Sequence, residues 1–265
     1  MIRLSVKVSE IINTIEQYYP RSLAESWDNP GLLCGRKEQE VNSIVLALDA
    51  SQRVVNYAVD IGAEMILTHH PIIFDGIRSV TDDTFTGRKL LQMIENRISC
   101  YAMHTNFDIA QNGMAYAAAK RLGIREFVPL EQTSEQDGVP VGIGFVGDLP
   151  KAVTAGELAS FVKEKFGISS LFYYDSGKLI RRVAVCPGSG RHMMDAVRAA
   201  GADAFITGDT GHHDGMDYKD DGITLIDAGH FGVEHIFTEH MKYFLETRFP
   251  DLKLYEEVTD ERRYV

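Results

Sequence analysis

The sequence predicts an α/β fold built from two related lobes, and three observations support this prediction. Apolar segments of strand length alternate with segments of helical periodicity, which is typical of mixed, largely parallel sheets. A motif near residue 62 returns near residue 201 with similar surroundings. Histidines and carboxylates follow the apolar segments, and in such folds ligands bind beyond the carboxyl ends of the strands. We therefore expect the functional site in a cleft between the two lobes.

The internal repeat is the most informative of these observations. The stretch "GAEMILTHH" begins at Gly62, and "GADAFITGD" begins at Gly201, so their offset is 201 − 62 = 139 residues. The threonines of the two stretches, Thr68 and Thr207, have the same offset, since 207 − 68 = 139. We interpret the repeat as an internal duplication.

Each copy of the repeat is predicted to fold as strand, helix and strand. In the first copy, "SIVLALDAS" predicts a strand and "QRVVNYAVDIGA" a helix; in the second, "RRVAVCPGSG" predicts a strand and "RHMMDAVRAAGA" a helix. Both helices end at a glycine, Gly62 or Gly201, as helices often do. A further strand follows in each half, in "ISCYAMHTNFD" and in "ITLIDAGHFGVEH". We place the first α/β lobe at residues 1–125 and the second at residues 126–265.

Composition restricts the classes of partner. With 265 residues, of which 45% are hydrophobic, the chain can bury the core of one large domain or of two lobes. Its formal net charge of -11 argues against DNA or RNA as a partner, because the surface as a whole repels polyanions. We find no signal peptide and no stretch of the roughly 18 to 20 apolar residues that a membrane span needs. We therefore expect a cytoplasmic protein without a membrane partner.

The cysteines do not suggest a site. Cys34, Cys100 and Cys186 are odd in number, widely spaced and without a C-x-x-C pair. This pattern argues against a disulfide framework and against a thiolate zinc site. We expect all three to be small core residues.

A cluster of histidines and carboxylates predicts a metal site. These residues follow the predicted strands at His69, His70, His104, Asp108, His230 and Glu234. Such ligands without thiolates suit Zn, Mn, Fe, Co or Ni. A single histidine at a strand end is more often a hydrogen-bonded residue than a ligand, but the clustering favours a metal site. Neighbouring residues of a strand point to opposite faces, so the histidine pair can reach one site only if the backbone turns there.

Several other stretches have two interpretations. His104 could orient a ligand residue or donate a proton to a substrate. In "CPGSGRHMMDA" the amides near Ser189 and Gly190 could bind an anion, or either residue could cap the following helix. "GIGFVG" resembles a dinucleotide motif, but no helix follows it, so we expect a glycine-containing strand. The single tryptophan, Trp27, is followed by residue types that are common in turns. This favours a structural loop over a site-facing role.

The order of the motifs resembles a known family. "WDNPGL", "THHPIIF", "HTNFD", "PGSG", "TGD" and "DAGHFGVEH" occur in an order similar to that of the GTP cyclohydrolase I type 2 homologue family, also called NIF-three-like. The chain resembles its short form. The resemblance implies a dinuclear centre of two divalent transition-metal ions between the lobes and a hexameric ring. The ligands that it implies are His69, His70, Asp108, His230 and Glu234.

We expect a metal-dependent hydrolase acting on a small, nucleotide-like or other metabolite, with His104 as the catalytic group that moves a proton. A GTP cyclohydrolase reaction is implied by the resemblance alone. Two alternatives stay open. The protein could be a metal-binding scaffold or protein-interaction module without turnover, or a phosphoesterase or amidohydrolase.

Overall fold

The computed structural model describes residues 5–263. The strands are β1 (Val6–Lys7), β2 (Gly31–Cys34), β3 (Glu40–Val41), β4 (Ser43–Ala47), β5 (Met65–Thr68), β6 (Ser99–Ala102), β7 (Phe127–Gln136), β8 (Val139–Val153), β9 (Phe172–Tyr174), β10 (Ile180–Ser189), β11 (Ala204–Gly208), β12 (Thr224–Asp227) and β13 (Lys253–Glu257). The helices are α1 (Val8–Tyr18), α2 (Gln52–Asp60), α3 (Phe85–Glu95), α4 (Thr105–Ile109), α5 (Met114–Leu122), α6 (Ala155–Phe166), α7 (Met194–Ala199), α8 (His212–Asp220), α9 (His230–Glu234) and α10 (Ile236–Arg248). Short 3-10 turns lie at Arg21–Leu23 and Arg191–Met193.

These elements form two compact units. The first contains residues 5–107 and 237–259, and the second contains residues 108–236 and 260–263. The lobe boundary predicted between residues 125 and 126 treats each lobe as one continuous segment, whereas each unit takes two segments of the chain. Strand β13 and almost all of helix α10 therefore belong to the first unit.

The main sheet of the first unit has the strand order β13-β4-β5-β6-β2. Strands β13, β4, β5 and β6 pair in parallel, and β2 pairs antiparallel with β6. Every residue of β4, β5 and β6 is buried, as expected for parallel strands covered on both faces. The first unit therefore has the largely parallel sheet that the sequence predicts.

The sheet of the second unit is more mixed, with the order β7-β8-β10-β11-β12-β9. Strands β10, β11 and β12 are parallel, whereas β8 pairs antiparallel with β10, and β9 with β12. Strands β7 and β8 form a long hairpin whose turn residues, Asp137 and Gly138, have positive φ angles of 53° and 76°, as a two-residue hairpin turn requires. "GIGFVG" lies inside β8, which confirms the prediction of a glycine-containing strand.

Helix α2 shows how the apolar pattern builds the core. Ser51 caps the helix by accepting a hydrogen bond from the Val54 amide at 3.3 Å. Val54, Val55 and Ala58 are buried in the same cluster as Val45 of β4. Burial of each valine contributes on the order of 1.5 to 3 kcal/mol, so the helical stripe holds α2 against the sheet.

In the first unit, the repeated motif connects helix α2 to strand β5 and holds the start of β4 beside it. Helix α2 is followed by Gly62, whose positive φ of 66° lets the chain reverse. Glu64 then accepts hydrogen bonds from the amides of Asn42 and Ser43 at 3.2 and 2.9 Å, and from the Ser43 hydroxyl at 2.8 Å. The acidic residue thereby fixes the start of β4 beside the start of β5.

The second unit contains the same arrangement. Gly201 follows α7 with a positive φ of 64°. Asp203 accepts hydrogen bonds from the amides of Arg181 and Arg182, both at 2.8 Å. These amides belong to the start of β10, and Asp203 directly precedes β11. The acid of the motif therefore joins the first two parallel strands of this unit.

Two negative expectations also bear on the fold. Within residues 5–263, no helix combines the length and the apolar character needed to cross a membrane. Cys34, Cys100 and Cys186 are buried and unlinked, as predicted for core residues. Burial raises the pKa of Cys100 to about 12, so this thiol keeps its proton at neutral pH.

Candidate metal site

The turn after β5 brings two neighbouring histidines together. The strand ends at Thr68, whose hydroxyl donates to the carbonyl of His70 at 2.8 Å and closes the turn. The amide of His69 still donates to the Ala47 carbonyl at 3.3 Å. The amide of His70 donates to the Leu48 carbonyl at 2.9 Å. The two imidazole centroids are 5.0 Å apart, so this turn lets adjacent residues face one region.

His104 joins this pair to form a cluster of three histidines in the first unit. One ring nitrogen of each of His69, His70 and His104 lies within 4.8 Å of the others. His69 is fully buried, whereas the side chains of His70 and His104 are 20% and 17% exposed. Phe107 and Phe237 pack against His69, with ring centroids at 6.1 and 5.3 Å. This apolar contact fixes the orientation of the buried imidazole.

Hydrogen bonds at Nδ1 determine which nitrogen could bind a metal. His69 Nδ1 lies 2.9 Å from the carbonyl oxygen of Met103. His70 Nδ1 lies 2.8 Å from a carboxylate oxygen of Asp49. A carbonyl and a carboxylate can only accept, so Nδ1 carries the hydrogen in each ring. In the neutral imidazole the lone pair is then on Nε2, as in the carboxylate–histidine pairs that orient metal ligands.

His104 is held in the same way by the loop that contains Trp27. Its Nδ1 donates to Asp28 at 2.8 Å, and the Thr105 amide donates to the same carboxylate at 2.9 Å. The Asp28 side chain has no exposed surface. Burial opposes its charged form, but hydrogen bonds from His104 and Thr105 outweigh this effect and lower the Asp28 pKa to about 2. Asp28 is therefore a fixed negative charge behind His104.

In the second unit, the short helix α9 presents a histidine and a carboxylate on one face. His230 and Glu234 are four residues apart, and Nε2 of the first lies 2.9 Å from Oε2 of the second. His230 Nδ1 donates to Asp209 at 2.7 Å. Two ligands of one cation, each about 2.0 to 2.2 Å from it, lie about 3 Å apart. The pair is therefore spaced to share an ion.

Two glycines, which have no side chains, leave space for His230 and Glu234. A Cβ on Gly188 would lie 2.2 Å from Glu234 Oε1 and 3.6 Å from His230 Cε1. A Cβ on Gly208 would lie 2.4 Å from the His230 backbone nitrogen. Gly188 also has a positive φ of 75°, which disfavours other residues. The absence of side chains at these positions lets α9 approach β10 and β11.

The predicted ligand Asp108 also belongs to the second unit, in helix α4. Burial raises the pKa of the Cys186 thiol, and the negative charges of Asp108 and Glu234 raise it further. Both carboxylates are thus within electrostatic range of one buried thiol. The role of Asp108 as a ligand stays a prediction.

The turn predicted to bind an anion has other contacts. The Gly190 amide donates to the Thr207 hydroxyl at 2.9 Å, and a Cβ at this glycine would lie 2.7 Å from that oxygen. Gly190 is the N-cap of the 3-10 turn Arg191–Met193, which agrees with the capping interpretation. The side chain of Ser189 is exposed. Anion binding by these residues stays a prediction.

Sequence reasoning missed the residues that support the ligands. These are Asp28, Asp49, Asp209 and the two glycines, Gly188 and Gly208. Asp49 follows β4 by two residues and Asp209 directly follows β11. Their position at strand ends could have identified them as supporting residues, because carboxylates there can reach candidate ligands of neighbouring strands.

The histidine cluster of the first unit and the His230–Glu234 pair of the second unit each have donor atoms that suit divalent transition metals. The first unit contributes imidazole nitrogens, and the second contributes an imidazole nitrogen with a carboxylate oxygen. The Nδ1 atoms of all four histidines have acceptor partners, which leaves Nε2 as the metal-facing atom. The structure therefore contains histidine and glutamate groups that could bind metal ions.

Comparison with known families identifies the family of this chain. The sequence model of Duf34/NIF3 (NGG1p interacting factor 3) matches residues 6–262. The chain belongs to the Duf34/NIF3 family. This finding confirms the resemblance that the order of the motifs predicts.

Two relatives in this family carry the same name. A Clostridium acetobutylicum protein called GTP cyclohydrolase 1 type 2 homolog is 40% identical over 232 residues, which cover 87% of this chain and 86% of that protein. A Clostridium perfringens protein with that name is 37% identical over 230 residues, covering 86% of this chain and 87% of that protein. The similarity therefore extends over most of both chains.

Solved structures share the fold. A hypothetical protein of Staphylococcus aureus matches with a TM-score of 0.89 and 28% identity, covering 99% of this chain and all (100%) of that chain. Reduced HcgD from Methanocaldococcus jannaschii matches with a TM-score of 0.82 and 30% identity, covering 96% of this chain and 98% of that chain. The mixed α/β fold is therefore that of NIF3 proteins.

Proposed function

We propose that the protein is a metal-dependent hydrolase with a dinuclear centre, in which His69 and His70 of the first unit act together with Asp108, His230 and Glu234 of the second. The main support is the set of Nδ1 hydrogen bonds, which prepares each histidine to bind a cation through Nε2. Five ligands are more than one four-coordinate ion needs, which favours two ions. The proposal thus puts the metal centre where the two units contribute jointly.

The duplication proposed from the sequence fits this division of ligands. Glu64 and Asp203, 139 residues apart (203 − 64), each bind two amides at the start of the preceding strand. Similar hydrogen bonding to backbone amides in both units supports a common origin. We infer that a duplicated scaffold later acquired different ligands at its two sets of strand ends.

His104 is the group that we assign to proton transfer. Its Nδ1 is bound to Asp28, so Nε2 is the atom that would accept or release a proton. The buried Asp28 carboxylate stabilises the imidazolium that proton uptake would create. Bound divalent ions would supply activated water and stabilise negative charge on the substrate. Together these groups suit hydrolysis of a carbon or phosphorus electrophile.

The substrate class and the assembly are proposed from the family resemblance and from the name of the relatives. The name GTP cyclohydrolase 1 type 2 homolog supports a small, nucleotide-like metabolite as substrate. We further propose a homo-oligomer, a hexameric ring by family resemblance, working in the cytoplasm. Turnover of nucleotides, phosphodiesters or amides by the metal-loaded protein would separate a hydrolase from a scaffold that binds metal without reaction.

The decisive experiment measures metal content per chain by plasma mass spectrometry in protein purified without chelators. We expect about two transition-metal ions in the parent and clearly fewer in His69→Ala and Glu234→Ala, because each variant removes one ligand. His192→Ala, at an exposed histidine outside the site, is the matched control. Circular dichroism checks that the variants keep the fold. Full metal content in both ligand variants would refute the proposed centre.

A further inference from the structure

Three aromatic rings of the first unit form a corner beside the histidine cluster. The centroids of Trp27 and Phe74 are 5.8 Å apart, with an angle of 41° between the rings. His104 lies 6.0 Å from Trp27 and 6.2 Å from Phe74, nearly perpendicular to both at 76° and 71°. We call Trp27, Phe74 and His104 the aromatic corner. It is continuous with the histidine cluster, because His104 belongs to both.

Two of these residues, Trp27 and Phe74, are largely exposed. Trp27 is 56% exposed and Phe74 is 46% exposed, although both are apolar and adjacent. Single exposed apolar residues are ordinary, but a contiguous pair next to polar, ligand-capable groups is typical of a binding surface. The sequence-based preference for a purely structural Trp27 loop does not account for this exposure. Binding of a ligand over the two rings would account for their exposure.

The backbone that carries the rings is firmly held. Asp28, next to Trp27, binds His104 Nδ1 and the Thr105 amide. The Asn29 side chain donates to the carbonyl of Ile73 at 2.7 Å, directly before Phe74. These hydrogen bonds tie the two ring-bearing segments to each other and to His104. The corner is therefore preorganised, which reduces the conformational entropy lost when a ligand binds.

We propose that the aromatic corner binds a planar heteroaromatic ring of the substrate, of purine or pyrimidine size, by stacking on Trp27 and Phe74. Two adjacent, exposed aromatic residues favour a flat π-system as ligand, and such stacking tolerates different ring substituents. A ring parallel to Trp27 would meet His104 at the same 76° angle that Trp27 makes with it. The stacked ring then lies beside the group assigned to proton transfer.

The inference rests on the proposed function for what happens to the ring, but binding itself is independent of turnover. A small ligand is favoured over a protein surface because the corner adjoins His104, whose side chain is only 17% exposed. An occupant of the corner is thereby placed next to the polar groups of the cluster. That position suits a substrate of the group assigned to proton transfer.

The single tryptophan makes a direct test available, since all tryptophan fluorescence comes from the corner. The full-length, metal-loaded protein is titrated with guanosine, adenosine and uridine, with ribose as the non-aromatic probe. We expect saturable quenching by at least one nucleoside and none by ribose. Phe74→Leu should weaken that affinity about five- to tenfold, because one stacking face is lost. Phe85→Leu, at an exposed phenylalanine outside the corner, should leave it unchanged.

Metal content measured on the same samples separates the two proposals. Saturable quenching in protein that holds no transition metal even after reconstitution would contradict the metal-dependent function and leave the aromatic subsite standing. Full metal content with no saturable quenching by any nucleoside would overturn the subsite alone. Equal affinities in Phe74→Leu and Phe85→Leu would also overturn it. So would a change in Trp27 emission that follows protein concentration, because self-association would then cover the corner.

Discussion

The two units use the same strand position for different purposes. In the first unit, Thr68 at the end of β5 is followed by two histidines. In the second, Thr207 near the end of β11 is followed by Gly208 and Asp209. Asp209 holds His230 through Nδ1, and Gly208 leaves room for the backbone of that histidine. One strand end supplies candidate ligands, and the other supports a candidate ligand carried by a helix.

The comparison separates scaffold from site. The hydrogen bonds of Glu64 and Asp203 are alike in both units, although the two stretches share only a Gly, an Ala, an acid and a Thr. The strand ends differ in every residue after the threonine. The two units are therefore alike in backbone-directed hydrogen bonds and differ in the side chains beyond the strand ends, where loops commonly carry function.

The largest effect that we expect comes from Gly188→Ala in the second unit. The new Cβ would lie 2.2 Å from Glu234 Oε1, so the carboxylate must move away from its position beside His230. We expect metal affinity to fall by about 100-fold, measured by competition with a chromophoric chelator. Gly201→Ala is the matched control, because Gly201 has a similar positive φ of 64° and a Cβ added there would meet no atom of residues 5–263 within 4 Å.

Both glycine variants should lose about 1 kcal/mol of unfolding free energy, because alanine is strained at positive φ. Only Gly188→Ala should lose metal, since the atom that its Cβ meets is the end of a side chain that moves more easily than the backbone. Equal metal affinity in the two variants would show that the position of Glu234 does not matter for binding.

The next effect tests whether the units contribute equally through their supporting carboxylates. Asp49→Ala frees Nδ1 of His70, and Asp209→Ala frees Nδ1 of His230. We expect each change to weaken metal binding about 10- to 100-fold, because the ring loses its tautomer and orientation. The measurement is the same chelator competition, with Asp217→Ala at an exposed position as control.

A loss of affinity in only one of the two variants would sharpen the comparison, because it would assign the tighter site to one unit. No loss in either would mean that the hydrogen bonds at Nδ1 are incidental to metal binding.

A smaller effect is expected from the shared scaffold. Glu64→Gln and Asp203→Asn each weaken acceptors for two backbone amides. We expect each variant to lose about 1 kcal/mol of unfolding free energy, measured by urea denaturation, without loss of metal. Strongly unequal losses would contradict the view that the two acids do the same structural work.

The smallest effect concerns the pH dependence of the first unit. Burial opposes ionisation of Glu64, but hydrogen bonds from Ser43 and Asn42 outweigh it and lower its pKa below the ordinary value of 4.5. The stabilisation by this carboxylate is therefore complete above the unfolded-state pKa and is lost as pH falls through the lower folded-state pKa. The difference in stability between the parent and Glu64→Gln should shrink on acidification. A constant difference across that range would contradict this account.

Much of the fold was predictable because local patterns determine it. The apolar runs of β4, β5 and β6 and the stripe on α2 follow from composition and periodicity. The return of β13 to pair with β4 was not predictable in this way, since "DLKLYEEVTDERRYV" resembles a solvated terminus. Pairing between strands so far apart in sequence depends on tertiary context, which local periodicity does not encode.

The candidate site was predictable in part: the sequence indicates its histidines but not the residues that support them. Residue type and position at strand ends identified His69, His70 and His104, which the structure brings together. The hydrogen bonds of Asp28 and Asp49 to these rings depend on backbone geometry after the strands, and no spacing rule gives that geometry. The space that Gly188 leaves for Glu234 likewise depends on packing. The motif "PGSG" indicated a turn there but not this contact.

The anchor of His69 differs from those of the other histidines in its robustness to mutation. Its acceptor is the main-chain carbonyl of Met103, and the Met103 amide in turn donates to the Thr68 carbonyl at 3.0 Å. Every amino acid supplies a carbonyl, so substitutions at residue 103 leave this acceptor in place as long as the chain keeps its path. Evolutionary drift can therefore abolish the anchors at Asp49 and Asp209 in one step, whereas the anchor of His69 is inherited with the fold.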